Sequence, residues 1–311
     1  MNNIICIAGP TASGKTALAV ELAKCLNGEV VSCDSMQIYK RMDIGTAKPT
    51  QEEMQGIPHH MLDVAEPQED FSVSKYCEMA APVVDDITAR GKTAIIAGGT
   101  GLYMDALIKG NTFAPYPSTG RREELESLAK ESGIAAVLDR LRVVDPDAAQ
   151  RLHPSDQKRI IRAMEVYLET GKTITQHNLD TQKLPPRYTP VWFALEDADR
   201  AQLYKRIDGR VEQMLRNGLL DEIKNLLASG IPEKATSMQA IGYKEFVDAL
   251  LGRCSVQEAT ELVQQSSRRY AKRQLTWFRR NPSIHWLTRQ TGETTAEIVI
   301  RARQILADSA K

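Results

Sequence analysis

No stretch of the chain approaches the ~20 consecutive apolar residues that a bilayer-spanning helix needs, so a helical membrane protein is excluded. Cysteine is sparse. Cys6, Cys25, Cys33, Cys77 and Cys254 are odd in number, scattered and without C-x-x-C spacing, which excludes a disulfide framework and a structural zinc site and leaves reduced, mostly buried thiols as the expectation. An excess of either charge is missing as well, with 40 Lys/Arg against 40 Asp/Glu, and there is neither an internal repeat nor a low-complexity tract. What remains is a chain of 311 residues, 42% hydrophobic and 26% charged. That composition predicts a soluble globular protein with room for one large domain, or a domain plus an insert. Strand-like sequence begins within a few residues of Met1, so a cytoplasmic location is expected.

The segment Ala8 to Thr16, A-G-P-T-A-S-G-K-T, follows the apolar run Ile4-Ile5-Cys6-Ile7 and precedes a helix-like segment from Ala17 to Leu26. Glycines in a G-x-x-x-x-G-K-[ST] pattern let the backbone fold tightly enough to aim N–H groups at phosphate oxygens, and the helix N-terminus adds partial positive charge. Gly9, Pro10, Thr11, Ala12, Ser13, Gly14, Lys15 and Thr16 are therefore the candidate polyphosphate-binding residues. Lys15 contributes a full charge. The Thr16 hydroxyl is placed to ligate a Mg²⁺ bridging the phosphate oxygens.

Apolar runs at Ile4–Ala8, Val30–Ser32, Thr93–Ala97 and Val191–Leu195 alternate with helical segments. This is the α/β pattern of a parallel sheet, here a P-loop NTPase-like core, whose ligands sit beyond the C-terminal strand ends. Asp34 and Gly98-Gly99 should then share a rim with the phosphate loop. Loop-like composition from Asn111 to Ser118 and again at Leu184-Pro-Pro-Arg-Tyr-Thr-Pro190 brackets charged, helix-patterned sequence. Residues 112–190 are accordingly expected to form a helical insertion between core segments 1–111 and 191–311. From Arg200 onward the pattern is helical, with Gly209, Gly218, Gly230, Gly242 and Gly252 expected as breaks or tight approaches.

The usual second half of an NTP-hydrolysing site is missing. Its one superficial match, Pro82-Val83-Val84-Asp85-Asp86, carries apolar residues at helical spacing, so those acids belong to a helix surface that Pro82 should kink or break. The strand before Gly98-Gly99-Thr100-Gly101 ends without a carboxylate, and neither N-K-x-D nor D-x-x-G occurs. At the end of the second strand stands Asp34-Ser35-Met36-Gln37-Ile38-Tyr39. A carboxylate and an amide three residues apart beside a phosphate cradle suit a general base and a reader of a purine edge. From spacing alone, an N-cap or an outer Mg²⁺ role for Asp34 is equally open. His59-His60 lacks further ligands at metal-binding spacing, so a loop or packing role is expected.

Charge is balanced overall but not locally. Residues 1–100 carry 8 Lys/Arg against 13 Asp/Glu, whereas Gln264 to Asn281 carries Arg268, Arg269, Lys272, Arg273, Arg279 and Arg280 without one acid, interleaved with Tyr270, Trp277 and Phe278. Six uncompensated cations predict a polyanion-facing surface.

Taken in order, G-P-T-A-S-G-K-T, D-S-M-Q-I-Y, G-T-A-K-P, G-G-T-G-L-Y, D-x-K-R-I-I-R-A-M-E-V-Y-L-E-T-G-K, A-I-G-Y-K-E-F and Y-A-K-R-Q-L-T-W-F-R resemble the tRNA dimethylallyltransferases from residue 9 to residue 279. Eukaryotic members often add a C-terminal zinc finger; with no Cys after Cys254, the chain resembles the shorter bacterial form. The resemblance implies Mg²⁺-dependent transfer of a dimethylallyl group from its diphosphate to the exocyclic amine of the adenosine 3′ of the anticodon. It implies Asp34, Thr16 and Arg210 as catalytic residues, with Arg210 favoured over Arg206 to reach the diphosphate. A plain surface network with Asp208 remains open for either arginine. Contacts to the tRNA anticodon arm are implied for Asp34, Ser35, Met36, Gln37 and Thr100 at the rim. Arg122, Lys158, Arg159, Ile160, Ile161 and Arg162 are implied in the insertion, where Lys158, Arg159 and Arg162 make a basic helical face. A monomer without membrane contact is expected. Two rivals are a small-molecule P-loop kinase, opposed by the missing carboxylate, and an adenylate isopentenyltransferase, for which the basic insertion is superfluous.

Overall fold

The computed structural model describes residues 4–111 and 119–309; residues 112–118 of the first expected loop lie outside them. Six parallel strands form one sheet: β1 (Ile4–Ala8), β2 (Gly28–Ser32), β3 (His59–His60), β4 (Thr93–Ala97), β5 (Val191–Asp197) and β6 (Ile284–Arg289), in the order β3-β2-β4-β1-β5-β6. The helices before the insertion are α1 (Lys15–Leu26), α2 (Gln51–Met54), α3 (Val73–Ala89) and α4 (Gly101–Lys109). Those of the insertion are α5 (Arg121–Ser132), α6 (Ile134–Val144), α7 (Pro146–Arg151), α8 (Gln157–Thr170) and α9 (Ile174–Gln182). After it come α10 (Arg200–Arg216), α11 (Leu219–Ala228), α12 (Tyr243–Leu250), α13 (Val256–Phe278) and α14 (Thr295–Ser309). The chain divides into two compact units, Met1–Gly110 with Arg187–Lys311, and Asn111–Pro186.

Strands β1, β4 and β5 read as nearly continuous apolar runs because helices cover both faces of the sheet. Alternation sends Ile5, Ile7, Val30, Ile95, Phe193 and Leu195 into one core layer with Leu18 and Leu22 of α1 and Ile298 of α14. Cys6, Ala8, Val31, Ile96 and Ala194 enter the other, with Tyr76 and Val84 of α3, Met104 and Leu107 of α4, Phe246 of α12 and Phe278 of α13. In the second unit Leu125, Val137, Leu138, Leu141, Ile160, Ile161 and Met164 make a separate core.

Two strands were not expected. His59-His60 is edge strand β3 rather than loop, paired with Val30 and Val31, and His60 Nε2 lies 2.8 Å from Glu29 Oε2. Strand β6 interrupts the helical C-terminal region because its six residues pair with β5 along their whole length, an interaction that polar His285, Thr288 and Arg289 conceal from pattern reading. Helix α3 runs unbroken through Pro82. Its Asp85 accepts hydrogen bonds from Arg187 and Tyr188 and its Asp86 from Arg90, so both acids are structural. Gly209 is neither break nor approach, sitting inside α10 with open space where a Cβ would be. Of the thiols, Cys6 and Cys33 are buried, Cys77 and Cys254 half-buried and Cys25 exposed.

Candidate active site

All strands run the same way, so β1, β2, β4, β5 and β6 deliver their following residues to one rim. After β1 the backbone turns sharply at Gly9, where a Cβ would lie 2.9 Å from the Leu195 carbonyl of β5. Ala12 takes a positive φ of 61° and packs against Leu203 and Ile207 of α10 and Ala271 of α13. Gly14 is the left-handed N-cap of α1. The loop Ser13 Oγ is buried without a hydrogen-bond partner, an orphaned polar atom that suits a loop built to meet an anion.

Lys15 donates to the Pro10 carbonyl at 2.7 Å, holding its ammonium across the loop. Desolvation pulls its pKa down to about 7, helped by Arg210 and opposed by Asp34, so the three groups lie within electrostatic reach of one another. Arg210 is exposed to solvent; desolvation lowers its pKa, with Glu53 opposing and Arg206 adding. Arg206 is committed elsewhere, donating to the Ala12 carbonyl at 3.0 Å and to Asp197 at 2.5 Å. It braces the loop, and Arg210 has no hydrogen bond or ion pair of its own among the described residues.

Opposite the cradle, Asp34 Oδ1 accepts from the Met36 and Gln37 N–H groups at 2.9 and 3.3 Å, which orients the carboxylate and leaves Oδ2 without a protein donor among the described residues. Ser35 donates its N–H to Thr100 Oγ1 at 3.1 Å, tying the Asp34 segment to the turn after β4. The Tyr270 phenol sits beside Thr100; its pKa is pushed up to about 12 by burial and by the Asp34 charge, with the Thr100 contact opposing. The glycines of G-G-T-G are explained by crowding, since a Cβ at Gly98, Gly99 or Gly101 would overlap Cys33, Gln274 or Trp277.

Four expectations are corrected. Gln37 is expected to read a base, but its amide accepts from Ser32 and donates to the Thr46 and Ala47 carbonyls at 3.3 and 3.1 Å, so it secures the G-T-A-K-P segment. Ile160 and Ile161 are core residues at 0% and 3% exposure, because they fall on the inward stripe of α8. Lys158, Arg159 and Arg122 do face solvent, but Arg159, Arg162 and Arg122 also meet Asp156, Glu165 and Glu126 of their own helices. The six cations of Gln264 to Asn281 are likewise not all uncompensated: Arg268 pairs with Asp208 and Arg279 with Glu196, acids distant in sequence. Arg269, Lys272, Arg273 and Arg280 stay exposed and form no ion pair among the described residues, with Arg273 and Arg280 over the Tyr270 and Trp277 rings.

Pattern reading also missed residues that shape the site. Arg289, at the end of β6, lies against Gly14, its Nη2 2.8 Å from where a Cβ would stand; it has no sequence signal because it follows an unrecognised strand. Glu222 of α11 accepts the N–H groups of Asp43, Ile44 and Gly45 and the Tyr243 hydroxyl. Gln274 had a signal, a polar residue in the buried stripe Ala271, Gln274, Phe278.

A profile of the IPP transferase family matches residues 37–281. The chain is 46% identical over 310 residues to a tRNA dimethylallyltransferase of Caldanaerobacter subterraneus subsp. tengcongensis, covering 99% of this chain and 98% of that one. The chain belongs to the tRNA dimethylallyltransferase family. Among solved structures, the full-length tRNA isopentenylpyrophosphate transferase of Bacillus halodurans is 41% identical with a TM-score of 0.74, over 99% of this chain and 96% of that one. A eukaryotic dimethylallyltransferase acting on tRNA is 30% identical with a TM-score of 0.78, over 93% of this chain and 74% of that one. Family membership accounts for a phosphate loop without a hydrolytic carboxylate on the neighbouring strand.

Proposed function

We propose that the chain transfers the dimethylallyl group of dimethylallyl diphosphate to the exocyclic amine of the adenosine 3′ of the anticodon in tRNA. The observation that carries this reading is that Lys15, Arg210 and Asp34 lie within electrostatic reach of one another, with Asp34 Oδ2 left without a protein donor among the described residues. As the allylic C–O bond breaks, its electron pair leaves with the diphosphate, where loop N–H groups, Lys15 and Arg210 stabilise the growing charge. The adenine amine forms the new N–C bond and its proton passes to Asp34 Oδ2. Arg206 and Arg289 support the loop that does this work.

Thr16 fits Mg²⁺. Its hydroxyl makes no hydrogen bond among the described residues, and none of them forms a cluster of three His, Cys, Asp or Glu. An ion at Thr16 would thus take its remaining ligands from diphosphate and water, the usual habit of Mg²⁺. When bound, it would neutralise charge on the leaving diphosphate.

An unstacked loop base is swung into a pocket at modest cost, which suits the Asp34–Thr100 rim. Ser35 and Met36 border it. Phosphate contacts from Arg122, Lys158, Arg159 and Arg162 on the insertion, and from Arg269, Lys272, Arg273 and Arg280 on α13, would position the RNA without reading it. The test offers labelled dimethylallyl diphosphate with tRNA, with AMP and alone. Label should enter tRNA and an anticodon stem-loop; equal labelling of AMP would replace this reading with adenylate prenylation, and phosphate transfer from ATP would point to a kinase.

A further inference from the structure

Gln274 is a buried polar side chain, 5% exposed, on helix α13. Its Oε1 accepts the N–H of Thr11 in the phosphate loop at 2.9 Å, and its Nε2 donates to the Gly99 carbonyl at 2.9 Å. Gly99 leads into Thr100, whose hydroxyl takes the Ser35 N–H, and Ser35 follows Asp34. One amide therefore ties the donor-side loop to the acceptor-side turn. Close packing enforces the link, because a Cβ on Gly99 would overlap Gln274 Nε2 and crowd its Cδ at 3.3 Å, whereas the nearest atom of another residue, the Gly9 carbonyl oxygen, lies 3.6 Å away.

We propose that Gln274 is a positioning residue for the transfer, setting the separation between the phosphate loop that holds the donor and the Asp34 segment that receives the acceptor. A planar amide bonded at both ends to main chain is a spacer of fixed length. A misplacement of about 1 Å between reacting groups costs roughly 10²-fold in rate. Donor binding need not suffer, since Lys15 and Arg206 are held by the Pro10 and Ala12 carbonyls and not by Gln274. The inference rests on the prenyl-transfer reading.

The experiment measures single-turnover transfer of labelled dimethylallyl groups to tRNA, pyrophosphate affinity and thermal midpoint for Gln274→Met, which keeps the volume and loses both bonds, and for Gln274→Glu, which keeps only the acceptor. Both should lose about 10²-fold in rate with pyrophosphate affinity within about threefold of the unmodified protein. A retained rate, or a fall in affinity matching the fall in rate, would overturn the proposal. Gly99→Ala pushes the same amide aside and should slow transfer similarly, giving a readout should the Gln274 variants not fold. Added to Gln274→Ala it should cost little more, since the overlap is gone; additive losses would show that the contact does not carry the effect. Absence of transfer by the unmodified protein would instead sink the functional reading and the proposal that rests on it, whereas a loss confined to the variants bears on Gln274 alone.

Discussion

Asp34 shows how a single residue acquires a role from its surroundings. Its backbone partners are local, Met36 and Gln37, and they occupy one carboxylate oxygen while the other has no protein donor among the described residues. Asp34→Asn keeps the shape and loses the basicity, so single-turnover transfer should fall by about 10²-fold or more while pyrophosphate binding stays near its original value. A rate within threefold of the original would leave Asp34 a positioning group only. Arg206 and Arg210, one helical turn apart, should separate cleanly. Arg210→Ala is expected to weaken pyrophosphate binding with little change in thermal midpoint. Arg206→Ala, which strands Asp197 at 5% side-chain exposure and frees the Ala12 carbonyl, should lower the midpoint first. Calorimetric titration and thermal melts of the two variants read both effects.

At the scale of elements, Glu222 of α11 is the clamp for the turn Asp43-Ile44-Gly45, which receives three of its main-chain donors in one carboxylate. Glu222→Ala should cost about 1–3 kcal/mol in urea unfolding, because those donors and the Tyr243 hydroxyl lose their acceptor. Helix α8 carries the other prediction. If its Lys158, Arg159 and Arg162 meet tRNA phosphates, neutralising all three should flatten the log–log salt dependence of tRNA affinity by up to roughly 0.7–0.9 per lost contact and raise KM for tRNA more than it lowers kcat. Glu165 and Asp156 already engage Arg162 and Arg159, so the change should fall short of three full contacts. A salt slope unchanged by the triple substitution would remove α8 from the RNA surface.

For the whole molecule, the cationic site predicts a stability that depends on pH. Lys15 has a folded pKa of about 7 against 10.5 when free, so between those values the unfolded chain binds the proton more tightly and stability rises with pH. Below about 7 the burden of the buried charge is fully present. Pyrophosphate favours the charged amine, raises its folded pKa and should flatten the rise. The check is the thermal midpoint from pH 6 to 10 for the unmodified protein and Lys15→Met, with and without pyrophosphate; equal pH slopes for the two proteins would remove Lys15 as the cause.

Whatever depends on neighbours a few residues apart was legible before any fold was known. The α/β class, four of the six strands, the phosphate loop after β1 and the helical nature of Pro82 to Asp86 follow from local periodicity and glycine spacing, and the order of motifs carried the family. Short or polar strands escaped, since β3 and β6 are stabilised by pairing with β2 and β5 rather than by their own composition. Tertiary structure alone decided which polar groups are free. The charges of Arg268 and Arg279 are met by acids 60 and 83 positions away, the Gln37 amide is taken up by Thr46 and Ala47, and Gln274 reaches a loop 263 positions away. A hydrogen bond has no memory of chain separation, so the partner that ties up a side chain is set by the folded sheet and its covering helices, not by the residues beside it.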